Sequence, residues 1–365
     1  MTKVYKTPLI PGPTSVPDFI RNEYLTNFGS ADLEDEFIKL YRETSKNIQT
    51  LVNAHHSSIA IMSGEGMVAL WGAIKSVVKP GDRVLCVSSG LFGDGFADMA
   101  KSCGCETRLI KCPEGDCPSN DEIKRVAKEF HPKLITLVHC ETPSGIINPV
   151  SPVGQIAKEV GSLFLVDFVA SAGSTEVKVD EWGIDLGLLG TQKCLSCLPD
   201  LGIITISEKA WKIIREVNYC GYDAILPFEN AVENKYFPYT PNWHAISALN
   251  TSLNHMIKEE GLEKIFKRHH DVSKHCRDEI RKMGLKTYPI KEELNSPSVT
   301  AVYVPEGFTW EDLNSQLRAK GVFVGGTFGP LAGKIFRIGH MGSQANNEYI
   351  DQALKSLRDI LEKKH

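Results

Sequence analysis

The feature that most constrains this chain is a regular alternation of short apolar runs with longer segments of helical spacing. The runs predicted to be buried strands are residues 59–62, 83–87, 134–139, 163–167, 186–189 and 203–206. Segments of helical spacing follow the first two runs and end at Val77 and Ala100. Alternating strands and helices predict an α/β fold with a largely parallel sheet. In such a sheet the ligand crevice lies at the carboxyl ends of the strands.

The segment before this alternation is rich in proline. Pro8, Pro11 and Pro13 lack a backbone N–H, and each disfavours helix at the residue before it. We therefore expect an extended N-terminal arm. Apolar residues at helical spacing then predict a helix over residues 37–51.

The second half of the chain has a different pattern, which predicts a smaller C-terminal α+β domain. The apolar stripe of a helix that leaves the large domain comprises Ile246, Leu249, Leu253 and Ile257. The strands predicted after it are residues 298–304, 322–324 and 335–338, and a last helix carries Ile350, Leu354, Leu357 and Leu361. The predicted division is an arm of residues 1–17, a large cofactor-binding domain of residues 18–258 and a small domain of residues 259–365.

Composition and charge exclude several classes of partner. With 365 residues, 42% of them hydrophobic, the chain can bury a large core. A formal net charge of −4 and the lack of a long basic run give no reason to expect nucleic acid or an anionic membrane as partner. Residues 1–9 show neither a signal peptide nor a membrane span, and the last three residues do not match a peroxisomal signal. We therefore expect a cytoplasmic protein.

Ten cysteines are spread along the chain, many of them inside apolar runs. Free cysteine in such runs behaves as a small hydrophobic residue. The closest groups are Cys103, Cys105, Cys112 and Cys117, and the pair Cys194 and Cys197. Neither group has the paired spacing of a structural zinc site. We therefore predict no metal site, and elemental analysis of the purified protein would test that.

An aspartate and a lysine follow two of the predicted buried strands. Asp167 ends the run of residues 163–167, and Lys193 follows the run of residues 186–189. A partly desolvated lysine amine loses its proton more readily and forms a Schiff base with an aldehyde. An aspartate at a pyridine nitrogen keeps that ring protonated, so that it can accept electrons. The pair therefore predicts a site for pyridoxal.

Further candidate residues fall at other strand ends. Gly64, Glu65 and Gly66 follow a strand and open a helix, whose free N–H groups could hold an anion. Phe92 opens the next helix. The pattern is equally consistent with two roles for this residue: it could stack on a flat ring, or it could be an aromatic residue of the core. Arg337 lies inside an apolar strand. A buried arginine needs an anionic partner, and we predict a substrate carboxylate.

Several motifs together resemble the small class V aminotransferases. They are residues 11–14 (PGPT), 141–145 (ETPSG), 166–171 (VDFVAS), 192–193 (QK), 240–241 (TP) and 337–339 (RIG). The family includes alanine:glyoxylate, serine:pyruvate, 2-aminoethylphosphonate:pyruvate and pyridoxamine:pyruvate aminotransferases. The resemblance covers nearly the whole chain. It implies the type I aminotransferase fold, pyridoxal 5′-phosphate as cofactor and a homodimer with active sites shared between subunits.

The resemblance also implies roles for individual positions. The Schiff-base lysine is Lys193, the partner of the ring nitrogen is Asp167, the stacking aromatic is Phe92, and the contact of the ring oxygen is Thr142. The phosphate pocket is implied to contain Gly64, Glu65, Gly66, Gln192 and, from the other subunit, Thr240. The substrate is implied to meet Arg337 and the segment that includes Phe28 and Gly29. The implied reaction moves an amino group between alanine or serine and glyoxylate or pyruvate.

Glu65 departs from the alanine:glyoxylate pattern, which has a small hydroxyl residue at the phosphate. A carboxylate about 4 Å from a phosphate costs on the order of 4 kcal/mol per pair of unit charges at an effective dielectric near 20. One alternative is that Glu65 points to solvent and is stabilised by the helix dipole. The other is a pyridoxamine:pyruvate aminotransferase, which uses unphosphorylated pyridoxamine as substrate and carries a glutamate there. That subgroup's second arginine would fall near Thr327 or Phe328, and neither is basic.

Three further alternatives have weaker support. The 2-aminoethylphosphonate enzyme belongs to the same family. A class V lyase such as a cysteine desulfurase would carry a histidine stacked on the ring, where this chain has Phe92. A regulatory protein of this fold would need an attached DNA-binding domain, for which we see no spare length before the arm.

Overall fold

The computed structural model describes residues 5–363. Residues 1–4 of the predicted arm and residues 364–365 of the predicted small domain lie outside the described part. The strands are β1 Thr7–Leu9, β2 Ser58–Ser63, β3 Arg83–Ser88, β4 Glu106–Lys111, β5 Leu134–Val138, β6 Cys140–Glu141, β7 Ile146–Ile147, β8 Leu163–Asp167, β9 Leu186–Gly190, β10 Leu201–Ile206, β11 Val299–Tyr303, β12 Val322–Gly326 and β13 Ile335–Gly339.

The helices lie between these strands and at both ends of the described chain. They are α1 Asp18–Arg21, α2 Asp35–Leu51, α3 Gly66–Val77, α4 Leu91–Ser102, α5 Asn120–Phe130, α6 Val150–Glu159, α7 Glu208–Val217, α8 Ala231–Asn234, α9 Trp243–Asn254, α10 Leu262–Lys282, α11 Trp310–Ala319 and α12 Asn347–Glu362. A π-helical segment, His255–Glu260, separates α9 from α10, so the apolar stripe predicted as far as Ile257 leaves the α-helix after Asn254. No helix in residues 5–363 is both long enough and apolar enough to cross a membrane.

The larger sheet has seven strands in the order β2-β10-β9-β8-β5-β3-β4. The neighbouring pairs from β9 to β4 are parallel, whereas β10 runs antiparallel to both β9 and β2. Every residue of β5, β8 and β9 is buried, because helices cover both faces of such a sheet. The predicted mainly parallel α/β sheet is therefore confirmed.

The smaller sheet has four strands in the order β1-β12-β13-β11. The edge strand β1 comes from the proline-rich N-terminal segment and pairs in parallel with β12, with Thr7 opposite Val322 and Leu9 opposite Val324. The N-terminal segment is extended, as its prolines predict, and it is also an integral strand of this sheet. The division of the chain at residues 17 and 258 stays a prediction.

The strand topology brings the candidate residues to one edge of the larger sheet. Strands β2, β3, β5, β8 and β9 all end at this edge, and the antiparallel β10 begins there. Asp167 is the last residue of β8, and the segments that follow the other strand ends carry Glu65, Phe92, Thr142 and Lys193. The smaller sheet adds Arg337 from the middle of β13.

Candidate active site

A cavity of about 700 Å³ lies at the carboxyl edge of the larger sheet. The residues predicted from the sequence that line it are Glu65, Gly66, Phe92, Thr142, Asp167, Gln192, Lys193 and Arg337. They come from six separate stretches of the chain, so the fold brings together residues that are far apart in the sequence. A cavity with a few convergent polar groups is the usual form of a small-molecule site.

Asp167 is the last residue of β8 and is buried. Its Oδ1 accepts a hydrogen bond from the N–H of Val169 over 2.8 Å. Its Oδ2 accepts none from residues 5–363, and the side chain lines the cavity. Burial raises the pKa of Asp167 from 3.8 to about 6, because the charged form loses solvation, although the nearby Lys193 opposes the shift. A cationic N–H donor in the cavity would therefore find a carboxylate with a free oxygen.

Lys193 follows β9, and its Nζ donates a hydrogen bond to the carbonyl of Pro11 over 2.9 Å. Burial and, to a smaller extent, the positive charge of Arg337 together lower the pKa of this amine from 10.5 to about 8. A substantial share of Lys193 is therefore neutral near physiological pH. Only the neutral amine is a nucleophile or a base.

The N-terminal segment holds this lysine in place, which the sequence analysis did not foresee. Thr14 donates from its N–H to the carbonyl of Gln192 over 2.9 Å and from Oγ1 to the carbonyl of Lys193 over 2.9 Å. Gly12 has a positive φ of 85°, and a Cβ there would lie 2.5 Å from Lys193 Cδ. A side chain at position 12 would occupy the space of the lysine. The motif of residues 11–14 was the one available sequence signal for these contacts.

Glu65 faces the cavity and does not turn away to solvent. Its Oε1 accepts from the N–H of Met67 over 3.0 Å, so that the side chain caps its own helix α3. Its Oε2 accepts from Nε2 of Gln192 over 3.0 Å. The carboxylate therefore occupies two donors that an anion at the start of α3 would use. Gln192 Oε1 is buried and has no hydrogen-bond partner among residues 5–363.

Phe92 lies in the first turn of α4, and its ring lines the cavity. The N–H groups of Phe92 and Gly93 donate to Glu141 over 3.0 and 3.1 Å. Glu141 is fully buried, and this burial raises its pKa from 4.5 to about 7. Glu141 belongs to the motif of residues 141–145, but the sequence predicted no role for this carboxylate.

Arg337 lies in β13 between two small neighbours, Gly325 on β12 and Ala301 on β11. Its Nε and Nη2 donate to the carbonyl of Gly326, and its Nη1 donates to the carbonyl of Thr142 over 3.3 Å. A guanidinium has five N–H donors, so one N–H on each terminal nitrogen finds no acceptor among residues 5–363. Burial lowers the pKa of Arg337 to about 10, which leaves it charged at neutral pH.

Four predicted residues do not line this cavity: Gly64, Thr240, Phe28 and Gly29. Gly64 has a φ of 121° and turns the chain at the end of β2. Thr240 is exposed, and its Oγ1 donates to Asp32 over 3.3 Å. The ring of Phe28 stacks on Trp243 with centroids 5.0 Å apart. Within one subunit these residues therefore stay apart from Lys193.

The cavity also includes residues from the small sheet's side that the sequence analysis did not select. They include Trp310, Asn314 and Arg318, all from helix α11. Arg318 is exposed, donates from Nε to Asn314 over 3.0 Å and stacks on the ring of Phe323. It therefore supplies a second positive charge at the cavity rim.

The cysteines do not form a metal site in the described chain. Within residues 5–363, no group of three or more His, Cys, Asp or Glu side chains is arranged to hold a metal ion. All ten cysteines are free. Cys194 and Cys197 are buried, and burial raises the pKa of both thiols. Cys194 packs in an apolar cluster with Ala170 and Met341, and Cys197 packs in another with Ile20 and Ala248.

Residues 13–335 match the sequence model of the family described as aminotransferase class V. The chain belongs to this family. It is 34% identical over 365 residues to an uncharacterised aminotransferase of Methanocaldococcus jannaschii, with 97% of this chain and 94% of that protein covered.

Two solved structures resemble this class V aminotransferase closely. Alanine–glyoxylate aminotransferase from Nostoc has a TM-score of 0.94 and 27% identity, and the match covers 99% of this chain and 96% of that one. Pyridoxamine–pyruvate aminotransferase from Mesorhizobium loti has a TM-score of 0.92 and 28% identity, with 97% and 91% covered. The predicted type I aminotransferase fold is confirmed.

Class V aminotransferases depend on pyridoxal 5′-phosphate, and the ring-binding part of this site fits that group. The free Oδ2 of Asp167 suits a pyridinium N–H, the neutral amine of Lys193 suits an aldehyde, and the ring of Phe92 lines the same cavity. The phosphate fits less well. The carboxylate of Glu65 takes the N–H of Met67 and the amide of Gln192, where an anion would need donors.

Proposed function

We propose that this enzyme moves an amino group between a small amino acid and a small 2-oxo acid, with pyridoxal held at Lys193. The observation that carries the proposal is the convergence of Lys193, Asp167 and Arg337 on one cavity. Asp167 ends β8 and Lys193 follows β9 in the larger sheet, and Arg337 lies on β13 of the smaller sheet. A transaminase needs the three functions that these residues supply: an amine, an anion for the ring nitrogen and a cation for the substrate carboxylate.

Lys193 and Asp167 have complementary roles in this proposal. The pyridoxal ring, when bound, accepts the electron pair that is left when the substrate's α-carbon loses its proton. Asp167 holds the proton on the ring nitrogen, because a carboxylate stabilises the adjacent cation. Nζ of Lys193 takes the α-proton as a general base, for which a pKa near 8 is well matched. Repeating the sequence in reverse with a 2-oxo acid completes the transfer.

Arg337 binds the substrate's carboxylate. Its two free N–H groups lie on different terminal nitrogens and can form a bidentate pair with one carboxylate. Alanine or serine as donor and glyoxylate or pyruvate as acceptor would each present one carboxylate to it. The fold similarity to the alanine–glyoxylate aminotransferase from Nostoc supports this choice.

A second candidate function follows from Glu65 and Gln192. The end of the cavity that would hold a phosphate presents the carboxylate oxygens of Glu65, which accept hydrogen bonds, and one of them already accepts from Nε2 of Gln192. A hydroxyl can donate to such acceptors, whereas an ionised phosphate cannot. This observation favours unphosphorylated pyridoxamine as a substrate, with pyruvate as the acceptor. The similarity to the Mesorhizobium loti enzyme supports the same alternative.

We also propose a homodimer in the cytoplasm. The surface around Thr240 includes Tyr222, which is 66% exposed and stacks on Tyr239, and Tyr236, which is 75% exposed. A second subunit on this surface would bury these rings and could bring Thr240 to its partner's phosphate end. The ten free cysteines favour a reducing compartment.

One experiment separates the two functions. The small molecule released from the purified, denatured protein is identified by mass spectrometry, and the visible spectrum of the native protein is recorded before and after L-alanine is added. Phosphorylated pyridoxal, with loss of the visible absorbance upon addition of alanine, would support the alanine-type reaction. The second function would be supported if no phosphorylated pyridoxal is released and the protein converts pyridoxamine and pyruvate to pyridoxal and alanine. A Lys193→Ala variant with undiminished turnover would contradict both.

A further inference from the structure

Glu141 is a buried carboxylate beside the active site that the proposed reaction does not use. It lies on β6 between Cys140 and Thr142 in the sequence, and both of these neighbours line the cavity. Successive side chains of an extended strand point to opposite sides. Glu141 therefore points away from the cavity, toward the first turn of α4.

The contacts of Glu141 are both to the backbone of α4. Its Oε1 accepts from the N–H of Phe92 over 3.0 Å, and its Oε2 accepts from the N–H of Gly93 over 3.1 Å. The first N–H groups of a helix have no partner within the helix, and a negative charge at this end is favourable. A fully buried carboxylate in turn requires such donors. The carboxylate and the two N–H groups thus provide each other's hydrogen-bond partners.

Gly90 provides the space for this carboxylate. Its φ of 168° is extended backbone that any residue can adopt, so backbone strain does not require a glycine. A Cβ at this position would nevertheless lie 2.3 Å from Cγ of Glu141. A side chain at position 90 and the observed position of Glu141 exclude each other.

We propose that Glu141 is a positioning residue for Phe92. It fixes the first turn of α4 so that the ring of Phe92 lies at the cavity wall, and Gly90 keeps the space that this requires. The inference rests on the proposed function only in taking the pyridoxal ring as the group that Phe92 contacts. The hold on the backbone of Phe92 is a property of the protein without any ligand.

The first test is Glu141→Gln in the full-length protein. Glutamine keeps the size, but it turns an NH₂ donor toward one of the two amides. We expect hydrogen exchange at the amides of Phe92 and Gly93 in the ligand-free protein to accelerate about tenfold or more. We also expect the affinity for pyridoxal to fall roughly three- to tenfold, the range that a displaced aromatic contact gives.

Glycine variants test the same contact from the other side and do not remove the carboxylate. Gly90→Ala should displace Glu141 and reproduce both effects. In a Glu141→Ala background the same change should add no further loss, because the space is then empty. The matched control is Gly95→Ala in the same helix, where a Cβ meets nothing within 4 Å and both readouts should stay as in the parent protein.

A double-mutant cycle with Phe92→Ala shows whether Glu141 acts through the ring. Loss of affinity from Glu141→Gln should largely disappear when Phe92 is already alanine. Additive losses, or unchanged exchange at Phe92 and Gly93 in both the Glu141→Gln and Gly90→Ala proteins, would overturn the inference. If the parent protein binds no pyridoxal, the proposed function fails, and the exchange data alone decide whether Glu141 positions Phe92.

Discussion

Gln192 donates a hydrogen bond from Nε2 to Oε2 of Glu65 over 3.0 Å, and both residues line the active-site cavity. Glu65 follows β2 and Gln192 follows β9, and β10 lies between these two strands in the sheet. If the phosphate of pyridoxal binds at the start of α3, as proposed above, the carboxylate of Glu65 places a second negative charge beside it. The choice between the two proposed functions depends on this contact.

Glu65→Ser should change the preference between phosphorylated and unphosphorylated pyridoxal. Serine also caps a helix, so the start of α3 is retained. Removing a like charge about 4 Å from a phosphate relieves on the order of 4 kcal/mol at an effective dielectric near 20. We expect the ratio of the two affinities to shift toward the phosphorylated form by roughly a hundredfold or more.

The ratio is measured by equilibrium titration of the ligand-free protein with each compound. Glu34→Ser, at the N-cap of α2 and outside the cavity, is the matched control and should leave the ratio unchanged. An unaltered ratio in Glu65→Ser would show that Glu65 does not meet the phosphate.

Covalent trapping of pyridoxal at Lys193 should follow the ionisation of its amine. The folded-state pKa is about 8, below its ordinary value of 10.5, so the neutral amine becomes dominant as the pH rises through 8. Stability should also rise between pH 8 and 10.5, because only the unfolded state still binds the proton there. Borohydride reduction followed by peptide mass spectrometry at a series of pH values gives the midpoint. Surface lysines in the same digest are the control. If trapping at Lys193 has the same pH midpoint as trapping at these lysines, near 10.4, the expectation is contradicted.

Asp167→Asn should stabilise the ligand-free protein at pH 7 while reducing turnover. The pKa of Asp167 is raised to about 6, so the folded state binds its proton more tightly and loses stability as the pH rises from about 4 to 6. Asparagine removes this cost, on the order of 2 to 3 kcal/mol, since each pKa unit corresponds to about 1.4 kcal/mol. It still accepts from the N–H of Val169 through Oδ1. Urea unfolding at pH 7 and pH 4 tests this, and an equal gain at both pH values would refute the electrostatic cause.

Arg337→Lys should raise the KM for the amino acid roughly ten- to a hundredfold, because lysine cannot form the bidentate pair. Steady-state kinetics with L-alanine measures this change. Arg318→Lys is the control at the rim of the same cavity, where the side chain is exposed and the expected change is less than about threefold. Similar changes in both variants would count against Arg337 as the carboxylate ligand.

Gly12→Ala should prevent pyridoxal from attaching to Lys193. Its Cβ would lie 2.5 Å from Lys193 Cδ, in addition to the strain of a φ of 85°. Gly81→Ala has nearly the same φ, 88°, but meets nothing within 4 Å. Both variants should lose about 1 to 2 kcal/mol of stability from backbone strain, and only Gly12→Ala should lose the attachment. Equal attachment in both, measured by absorbance, would contradict the steric argument.

The sequence predicted the larger sheet well because its central strands are buried on both faces and therefore appear as continuous apolar runs. It also predicted which strand ends carry polar groups, including Asp167 and Lys193. The direction of β10 was not predictable in this way, because an apolar run has the same composition in either direction. The edge strand β4, with mostly exposed or half-exposed residues, lacked such a run and was not predicted.

The contacts around the site residues were harder to predict. The sequence was consistent with a Glu65 side chain that points either to solvent or into the cavity. Its position depends on a hydrogen bond with Gln192, which is distant in the chain. Gly90 and Glu141 depend on each other, but nothing in the sequence indicates that they meet. Thr240 and Phe28 were chosen from the family resemblance, and a single subunit leaves both outside the cavity. Such contacts arise from long-range packing, which local sequence patterns do not encode.

The position of β1 has a consequence for how this site forms during synthesis. Thr7 to Leu9 leave the ribosome more than 300 residues before their partners, Val322 to Val324. The residues just after β1 contact the backbone of Gln192 and the amine of Lys193. Closing so long a loop is entropically costly and slow. A nascent chain can therefore build most of the larger sheet, but Lys193 gains its final neighbours only after β12 has been synthesised.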